Sequence, residues 1–220
     1  MNGRILVTGG SGGIGAGVVA RHRDRCVVWS RRANGVDVTD PDGVRAAAGA
    51  FLRQHGAPFA IVHGVGDFEE RSLLSTDDAA WRRLLDSNLT SAFLVATTLV
   101  PAMCEARRGR VIFFSAAGAE DRTAKPRAPA YFAAKAALTS LARSLAKEVA
   151  PYGVTVNVIA PGVVVHPDSH AASQERMTPK VPLGRAGTVD DLLGAIDLLL
   201  GDAGAYVTGD VWTIDGGLSL

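Results

Sequence analysis

Tyr131 and Lys135 stand four residues apart in the run Tyr131-Phe132-Ala133-Ala134-Lys135, which has helical character. On a helix that spacing puts the phenol and the ammonium on one face. A phenol with an ordinary pKa near ~10 exchanges its proton poorly at neutral pH. A neighbouring cation favours the phenolate, and a lowering of ~2–3 units corresponds to ~3–4 kcal/mol of differential stabilisation. Such a couple can pass a proton to or from an alcohol oxygen, the acid–base half of carbonyl reduction. The hydride half needs a redox cofactor, and a nicotinamide can supply it. Tyrosine and lysine at this spacing are common on helix surfaces, so the chemistry depends on what else converges on them.

Three further groups are placed to converge. Ser115 ends the apolar run Arg110–Phe114, at the carboxyl edge where open α/β sheets bind ligands, and its hydroxyl can hydrogen-bond a carbonyl where negative charge develops. Asn88, in Asp86-Ser87-Asn88-Leu89, is either a polar interruption of a long helix or the holder of a water behind the lysine. The first apolar run leads into Thr8-Gly9-Gly10-Ser11-Gly12-Gly13-Ile14-Gly15 and then a helix. A strand, glycine-rich turn and helix in that order aim backbone N–H groups and a positive helix end at a diphosphate. About 20 residues on, where an acid would select NAD through the ribose 2′-OH, stands Trp29-Ser30-Arg31-Arg32. Hydroxyl and guanidinium groups there suit a 2′-phosphate, so Ser30, Arg31 and Arg32 point to NADPH/NADP⁺ rather than NAD(H). The other reading of those arginines is a solvated basic rim.

Positioning these groups requires alternating elements. Candidate strands are 4–8, 26–29, 59–63, 110–115, 154–160 and 211–214, each apolar on both faces as a covered parallel sheet demands. Candidate helices are 13–23, 41–55, 78–106, 129–150 and 189–200, with Asp40, Asp78 and Thr188 at N-cap positions and Pro41 at the first helical position. The expected fold is α/β, one doubly wound Rossmann-type domain over 1–220 with helices on both faces of a parallel sheet. Its cofactor half is about 1–115 and its substrate half about 116–220, the boundary being drawn after Ser115. Irregular stretches at 116–128 and 162–181 are long enough to be lids or functional loops.

The 220 residues are 47% hydrophobic and 20% charged, which excludes disordered, collagen-like and coiled-coil chains. A net charge of +1 offers no global attraction for nucleic acid or an anionic membrane. The two cysteines, Cys26 and Cys104, form no CxxC pair and read as small buried residues in a reducing compartment. The start, Met1-Asn2-Gly3-Arg4 and then Ile5-Leu6-Val7, enters a strand rather than a signal peptide, and Ala92–Cys104 is short for a span of about 20 residues. A cytoplasmic, soluble protein is expected.

The order of Thr8-Gly9, Gly13-Ile14-Gly15, Asp37-Val38, Asn88, Ser115 with Gly118, Tyr131 with Lys135, Asn157 and Pro161-Gly162 resembles the short-chain dehydrogenase/reductase family over essentially the whole chain. Pro182–Thr188, Tyr206-Val207-Thr208-Gly209 and Asp215-Gly216-Gly217 make the resemblance strongest to its 3-oxoacyl-acyl-carrier-protein reductase branch. The resemblance implies that Tyr131 is the general acid in reduction, while Lys135 tunes it and binds the nicotinamide ribose. Ser115 would orient the carbonyl and Asn88 complete a proton relay. Asp37 and Val38 would meet the adenine, and Pro161, Gly162 and Val164 the nicotinamide. It further implies a substrate lid at about 163–181 and a homotetramer or homodimer built through the long middle helices and the C-terminal strand.

Four departures from the family pattern bear on the site. The helix expected after the second strand is largely missing, since Arg32-Ala33-Asn34-Gly35-Val36 leads straight to Asp37-Val38. His63-Gly64-Val65-Gly66 replaces the usual Asn-Asn-Ala-Gly, making His63 and Gly64 candidate cofactor neighbours, His63 equally a satisfied structural residue. Glu120-Asp121-Arg122-Thr123-Ala124-Lys125 lengthens the loop bordering the substrate. His166 replaces the family's threonine at the nicotinamide carboxamide, where it could meet cofactor or substrate. His166, Asp168 and His170 are types that ligate metals, but hydride chemistry needs none and none is expected. The leading expectation is an NADPH-dependent ketoreductase acting on a small-molecule or carrier-protein-bound β-ketoacyl or polyketide-like carbonyl. Arg122, Lys125, Arg127 and Arg176 at the mouth could meet an acidic carrier or form a solvated rim. The alternatives are an NADP-dependent dehydrogenase of a small or cyclic secondary alcohol and a non-catalytic cofactor-binding sensor or scaffold.

Overall fold

In a computed structural model, which describes residues 3–169 and 171–220, six strands form one parallel sheet. They are β1 (Ile5–Thr8), β2 (Cys26–Trp29), β3 (Ala60–His63), β4 (Gly109–Phe114), β5 (Val154–Pro161) and β8 (Val211–Ile214), in the order β2-β1-β3-β4-β5-β8. Their residues alternate between two cores, because successive side chains of a strand point to opposite faces. Leu6, Ile61, Val111, Phe113, Val156 and Val158 pack on one face against α3 (Pro41–His55), α5 (Ser91–Glu105) and α6 (Pro129–Val149). Ile5, Val7, Val62, Ile112, Phe114 and Ile159 pack on the other against α1 (Gly13–Arg21) and α8 (Asp190–Leu200). The doubly wound parallel sheet expected from the strand pattern is what forms. Only the edge strands β2 and β8 are half-exposed.

The chain leaves β1 toward β2 on one side and reaches β3 on the other, so the order reverses between β1 and β3. That reversal opens a crevice at the carboxyl ends of the strands. Three local features shape what lines it. After β2 a single turn, α2 (Arg31–Asn34), runs into Gly35 with φ +72°, and residues 36–39 pair with no strand, so the sheet ends at β2. The middle helix is continuous from Asp78 to Glu105 but consists of α4 (Asp78–Leu85), one π-helical turn at Asp86–Thr90 and α5. A π turn inside an α-helix is a recurrent mark of a functional position, and this one carries Asn88. Finally, β6 (Val164–Val165) and β7 (Gly187–Thr188) form a two-residue parallel pair, with the short helix α7 (Ala171–Met177) between them.

The caps correct two sequence expectations. Asp40 caps α3 as expected, its carboxylate accepting from Asp42 and Gly43 N–H. Asp77 rather than Asp78 caps α4, accepting from Ala80 N–H. Thr188 does not cap α8; its own N–H and hydroxyl donate to Asp191 Oδ2 at 2.7 and 3.0 Å. The Asp78–Glu105 rod, 28 residues long, is also more span-like than Ala92–Cys104 suggested, being long and apolar enough to cross a membrane by length and composition alone. Half of its apolar window is buried inside the fold, where it serves as a core helix.

Candidate active site

Tyr131 lies in the first turn of α6 and Lys135 one turn on, which puts both side chains at the carboxyl edge of β4. Lys135 is buried, and its Nζ donates to the Phe114 carbonyl at 2.7 Å while lying 5.6 Å from the centre of the Tyr131 ring. Phe68 meets that ring edge-on at 5.0 Å. Burial pushes the phenol up to about 12 and the ammonium down to about 8. The phenol shift is opposite to the lowering expected from a neighbouring cation. The ammonium is bonded to a carbonyl and faces the ring, so desolvation of the phenolate dominates.

Ser115 follows β4 directly. Its Oγ donates to the Lys135 carbonyl at 3.1 Å and accepts from Thr139 at 3.3 Å, so its hydrogen must turn from that carbonyl before it can donate to a ligand in the cleft. Asn88 is fully buried, with Nδ2 donating to the Asp67 and Leu84 carbonyls at 2.8 and 2.9 Å. Its Oδ1 is buried and has no hydrogen-bond partner, and it faces the lysine across Gly66. An ideal Cβ at Gly66 would stand 3.1 Å from Lys135 Nζ and collide with Asn88 Oδ1. The missing side chain at Gly66 therefore leaves the gap between amide and ammonium, a role the sequence reading did not assign. Its only signal was a glycine at the end of the unusual His63-Gly64-Val65-Gly66 segment.

The glycine turn crosses the other end of the crevice, a cleft of about 1500 Å³. Gly9 has φ +72° and Gly13 φ +50°, and a Cβ at Gly9 would approach Gly64 O to 2.8 Å. A Cβ at Gly15 would approach Gly9 O to 2.6 Å. Gly9, Ser11, Gly13 and Ile14 line the cleft, together with Ser30, Arg31, Arg32, Asp37, Val38 and Gly64. Ser115, Tyr131, Lys135, Pro161, Gly162, Val164 and His166 line its other end. Ser30 Oγ is engaged as the cap of α2, accepting from Ala33 N–H at 3.0 Å. Arg31 and Arg32 are exposed, reaching toward Asp37 at 4.0 Å and Asp168 at 3.4 Å. Asp37 accepts from the Thr39 hydroxyl and N–H, and those bonds hold its carboxyl below the ordinary range.

Thr8, Gly15, His63 and Asn88 do not line the cleft. For Thr8 and His63 this corrects the expected cofactor contact, and the strand register explains it. Thr8 and His63 are cross-strand partners whose side chains point to the same side of the sheet, beneath the cleft floor. His63 is sealed between Thr8 Oγ1 at 2.8 Å and Ser91 Oγ at 3.0 Å. Because Ser91 donates its own hydrogen to the Ser87 carbonyl, it accepts from His63 Nε2, and Nδ1 accepts from Thr8. Burial and the charge of Lys135 push this neutral ring down to about 3.

At the mouth, the expected basic patch is partly neutralised. Lys125 pairs with Asp121 at 2.9 Å, and Arg176 of α7 pairs with Glu70 across the cleft. Glu120 of the inserted segment pairs with Arg143 of α6 and ties that loop down. Arg127 and Lys180 line the cleft without an ion pair among the described residues, whereas Arg122 does not line it. Of the three residues weighed as metal ligands, His170 lies outside the described residues. Asp168 is instead turned onto the glycine turn, accepting from Gly13 N–H at 3.2 Å.

Comparison with known proteins agrees with this geometry. Residues 22–219 match a family model described as enoyl-(acyl carrier protein) reductase. Among curated relatives, the inactive 2-(S)-hydroxypropyl-CoM dehydrogenase 2 of Xanthobacter autotrophicus is 34% identical, with 84% of each chain covered. The 3-oxoacyl-[acyl-carrier-protein] reductase FabG of Escherichia coli is 29% identical, with 97% of this chain and 96% of that one covered. A short-chain type dehydrogenase/reductase from Mycobacterium marinum superposes with a TM-score of 0.92 at 27% identity, covering 99% of this chain and 96% of that one. The chain therefore belongs to the short-chain dehydrogenase/reductase family and is an oxidoreductase of the carbonyl/alcohol type.

Proposed function

We propose that this chain is an NADPH-dependent ketoreductase that reduces a carbonyl to a secondary alcohol, with Tyr131 as general acid. The carrying observation is the Lys135 ammonium fixed on the Phe114 carbonyl at 2.7 Å beneath the Tyr131 ring, in the same cleft as the glycine turn. The residues fit a dinucleotide. The turn already holds an anion, the Asp168 carboxylate on Gly13 N–H, and tolerates no side chain at Gly9 or Gly15. Gly9, Ser11, Gly13 and Ile14 would hold the diphosphate, Asp37, Val38 and Gly64 the adenosine, and Arg31 and Arg32 a 2′-phosphate, with the Ser30 hydrogen still free to donate. Pro161, Gly162, Val164 and His166 would border the nicotinamide, and Lys135 its ribose. When bound, a reduced nicotinamide supplies the hydride that ends on the carbonyl carbon.

Tyr131 delivers its proton to the carbonyl oxygen, and Ser115, its hydroxyl hydrogen turned from the Lys135 carbonyl, donates a hydrogen bond to the same oxygen. The phenolate left behind is stabilised by the Lys135 ammonium. Lys135, with a pKa of about 8, exchanges protons readily near neutrality and can return one to the tyrosine, Asn88 Oδ1 accepting on its far side. A phenol held at about 12 is protonated at neutral pH, the form a general acid starts from. The relatives' names support a β-ketoacyl-type substrate, free or carrier-bound. The unpaired cysteines are consistent with a reducing, cytoplasmic setting.

The test is NADPH consumption against acyl thioesters and cyclic ketones by wild type and Tyr131→Phe. Loss of a general acid of this kind lowers kcat by about 10²–10⁴-fold, with dinucleotide binding retained. Undiminished turnover by Tyr131→Phe would overturn the acid assignment. Turnover by neither protein with any carbonyl tested would return the chain to the binding-module reading.

A further inference from the structure

We propose that Asp168 is a built-in anionic gate on the cofactor site: its carboxylate occupies the seat of the dinucleotide diphosphate and must withdraw before a dinucleotide binds. This rests on the reading of the cleft as a dinucleotide site. Three contacts place the carboxylate there. Oδ2 accepts from Gly13 N–H at 3.2 Å, at the positive end of the nine-residue α1. Oδ1 lies 3.4 Å from Arg32 Nη1, the guanidinium assigned to the 2′-phosphate. A side chain at Gly12 would fall on Oδ2, so the carboxylate fills the space the glycine leaves open.

The segment bearing Asp168 is folded to aim it. Ser169 N–H and its hydroxyl both return to the His166 carbonyl, at 3.0 and 2.5 Å, closing a tight turn around Asp168. The His166 ring rests near Gly13. Farther along, Arg176 pairs with Glu70 on the opposite wall. The lid is thus fastened at two points, one to the cofactor end of the cleft and one to the substrate end. A carboxylate and a diphosphate cannot share one N–H and one helix terminus, because both only accept hydrogen bonds and their negative charges repel. The diphosphate wins by carrying more charge and more acceptors, at the expense of the Asp168 contacts. Dinucleotide binding therefore unfastens the lid at its cofactor end, and the apparent affinity is reduced by the population in which Asp168 is seated.

The penalty comes from the diphosphate, which NADPH, NADH and ADP share and adenosine lacks. Calorimetric titration at low ionic strength should show Asp168→Asn and Asp168→Ala binding ADP and NADPH roughly five- to twentyfold more tightly than wild type, as expected for removal of a competing charge-assisted contact. NADH should gain as ADP does, NADPH at least as much because Arg32 is released as well, and adenosine should bind all three proteins equally. If wild type and both variants bind ADP with equal affinity, or the variants bind it more weakly, the gate is wrong and the dinucleotide reading stands. If no protein binds ADP or NADPH, the dinucleotide reading itself is wrong and the gate falls with it.

Discussion

His63, a ring held between two hydroxyls, can take up a second proton only by losing the bond it accepts from Thr8. Folded, it stays neutral down to about pH 3, whereas the unfolded chain protonates near 6.5. Its contribution to stability is therefore complete above pH 6.5 and declines as the pH falls from there toward 3, because the unfolded state binds the extra proton. Between pH 6.5 and 5 the loss is up to about 2 kcal/mol. His63→Asn, which keeps a polar group but does not titrate, should flatten that slope. Urea midpoints across this pH range decide it, and parallel slopes for the two proteins would remove the assignment. The tyrosine–lysine pair was legible because four residues on a helix determine which face both occupy. His63 was not, because whether the last residue of a strand faces cleft or core depends on its pairing with Thr8, which a single sequence does not display. The direction of the Tyr131 shift was illegible for a related reason: charge proximity can be read from spacing, desolvation cannot.

Among the elements, the loop leaving β3 does as much for the site as the helices. It brings Gly66 between Asn88 on the π turn and Lys135 on α6, three segments that share no sequence neighbourhood. Gly66 is exposed and its φ lies outside the left-handed region, so Gly66→Ala is tolerated by the backbone and the intruding methyl acts on the amide and the ammonium. We expect kcat to fall about tenfold or more, from sub-ångström misplacement of reacting groups. The thermal midpoint should be nearly unchanged, and any loss of NADPH affinity through Lys135 should be smaller than the loss in kcat. Unaltered kcat would show that the Asn88–Lys135 gap has no part in proton return. The long helices and six strands were readable from periodicity and β-branched runs to within a residue or two. The π turn and the β6–β7 pair were not: one inserted residue per turn leaves no compositional trace, and two-residue strands are too short to show alternation. The α4 cap was misplaced by one position because Asp77 and Asp78 are chemically equivalent, and only the backbone decides which is outside the helix.

At the scale of the whole molecule, large apolar side chains remain in water on α5 and beside β8. Phe93 on α5 is half-exposed, while Tyr206 and Leu220, flanking β8, are fully exposed. We infer a homodimer or homotetramer built on these faces, since burial of such residues is worth roughly 1.5–3 kcal/mol each. Light scattering should give a mass of two or four chains, and Tyr206→Asp combined with Phe93→Asp should reduce it; a monomeric wild type would refute the inference. The sheet's early stop at β2 has a different outcome. With no further strand or long helix beyond it, Arg31 and Arg32 stand with side chains 75% and 74% exposed, surrounded by solvent rather than by protein. Charges so placed are screened over a Debye length that shrinks from about 30 Å at 0.01 M to about 3 Å at 1 M ionic strength. If Arg31 and Arg32 hold the 2′-phosphate as proposed, coenzyme choice is a property of the buffer: the ratio of NADPH to NADH affinity should shrink steadily as potassium chloride is added. A ratio indifferent to salt would mean that the discrimination is made elsewhere, by buried groups.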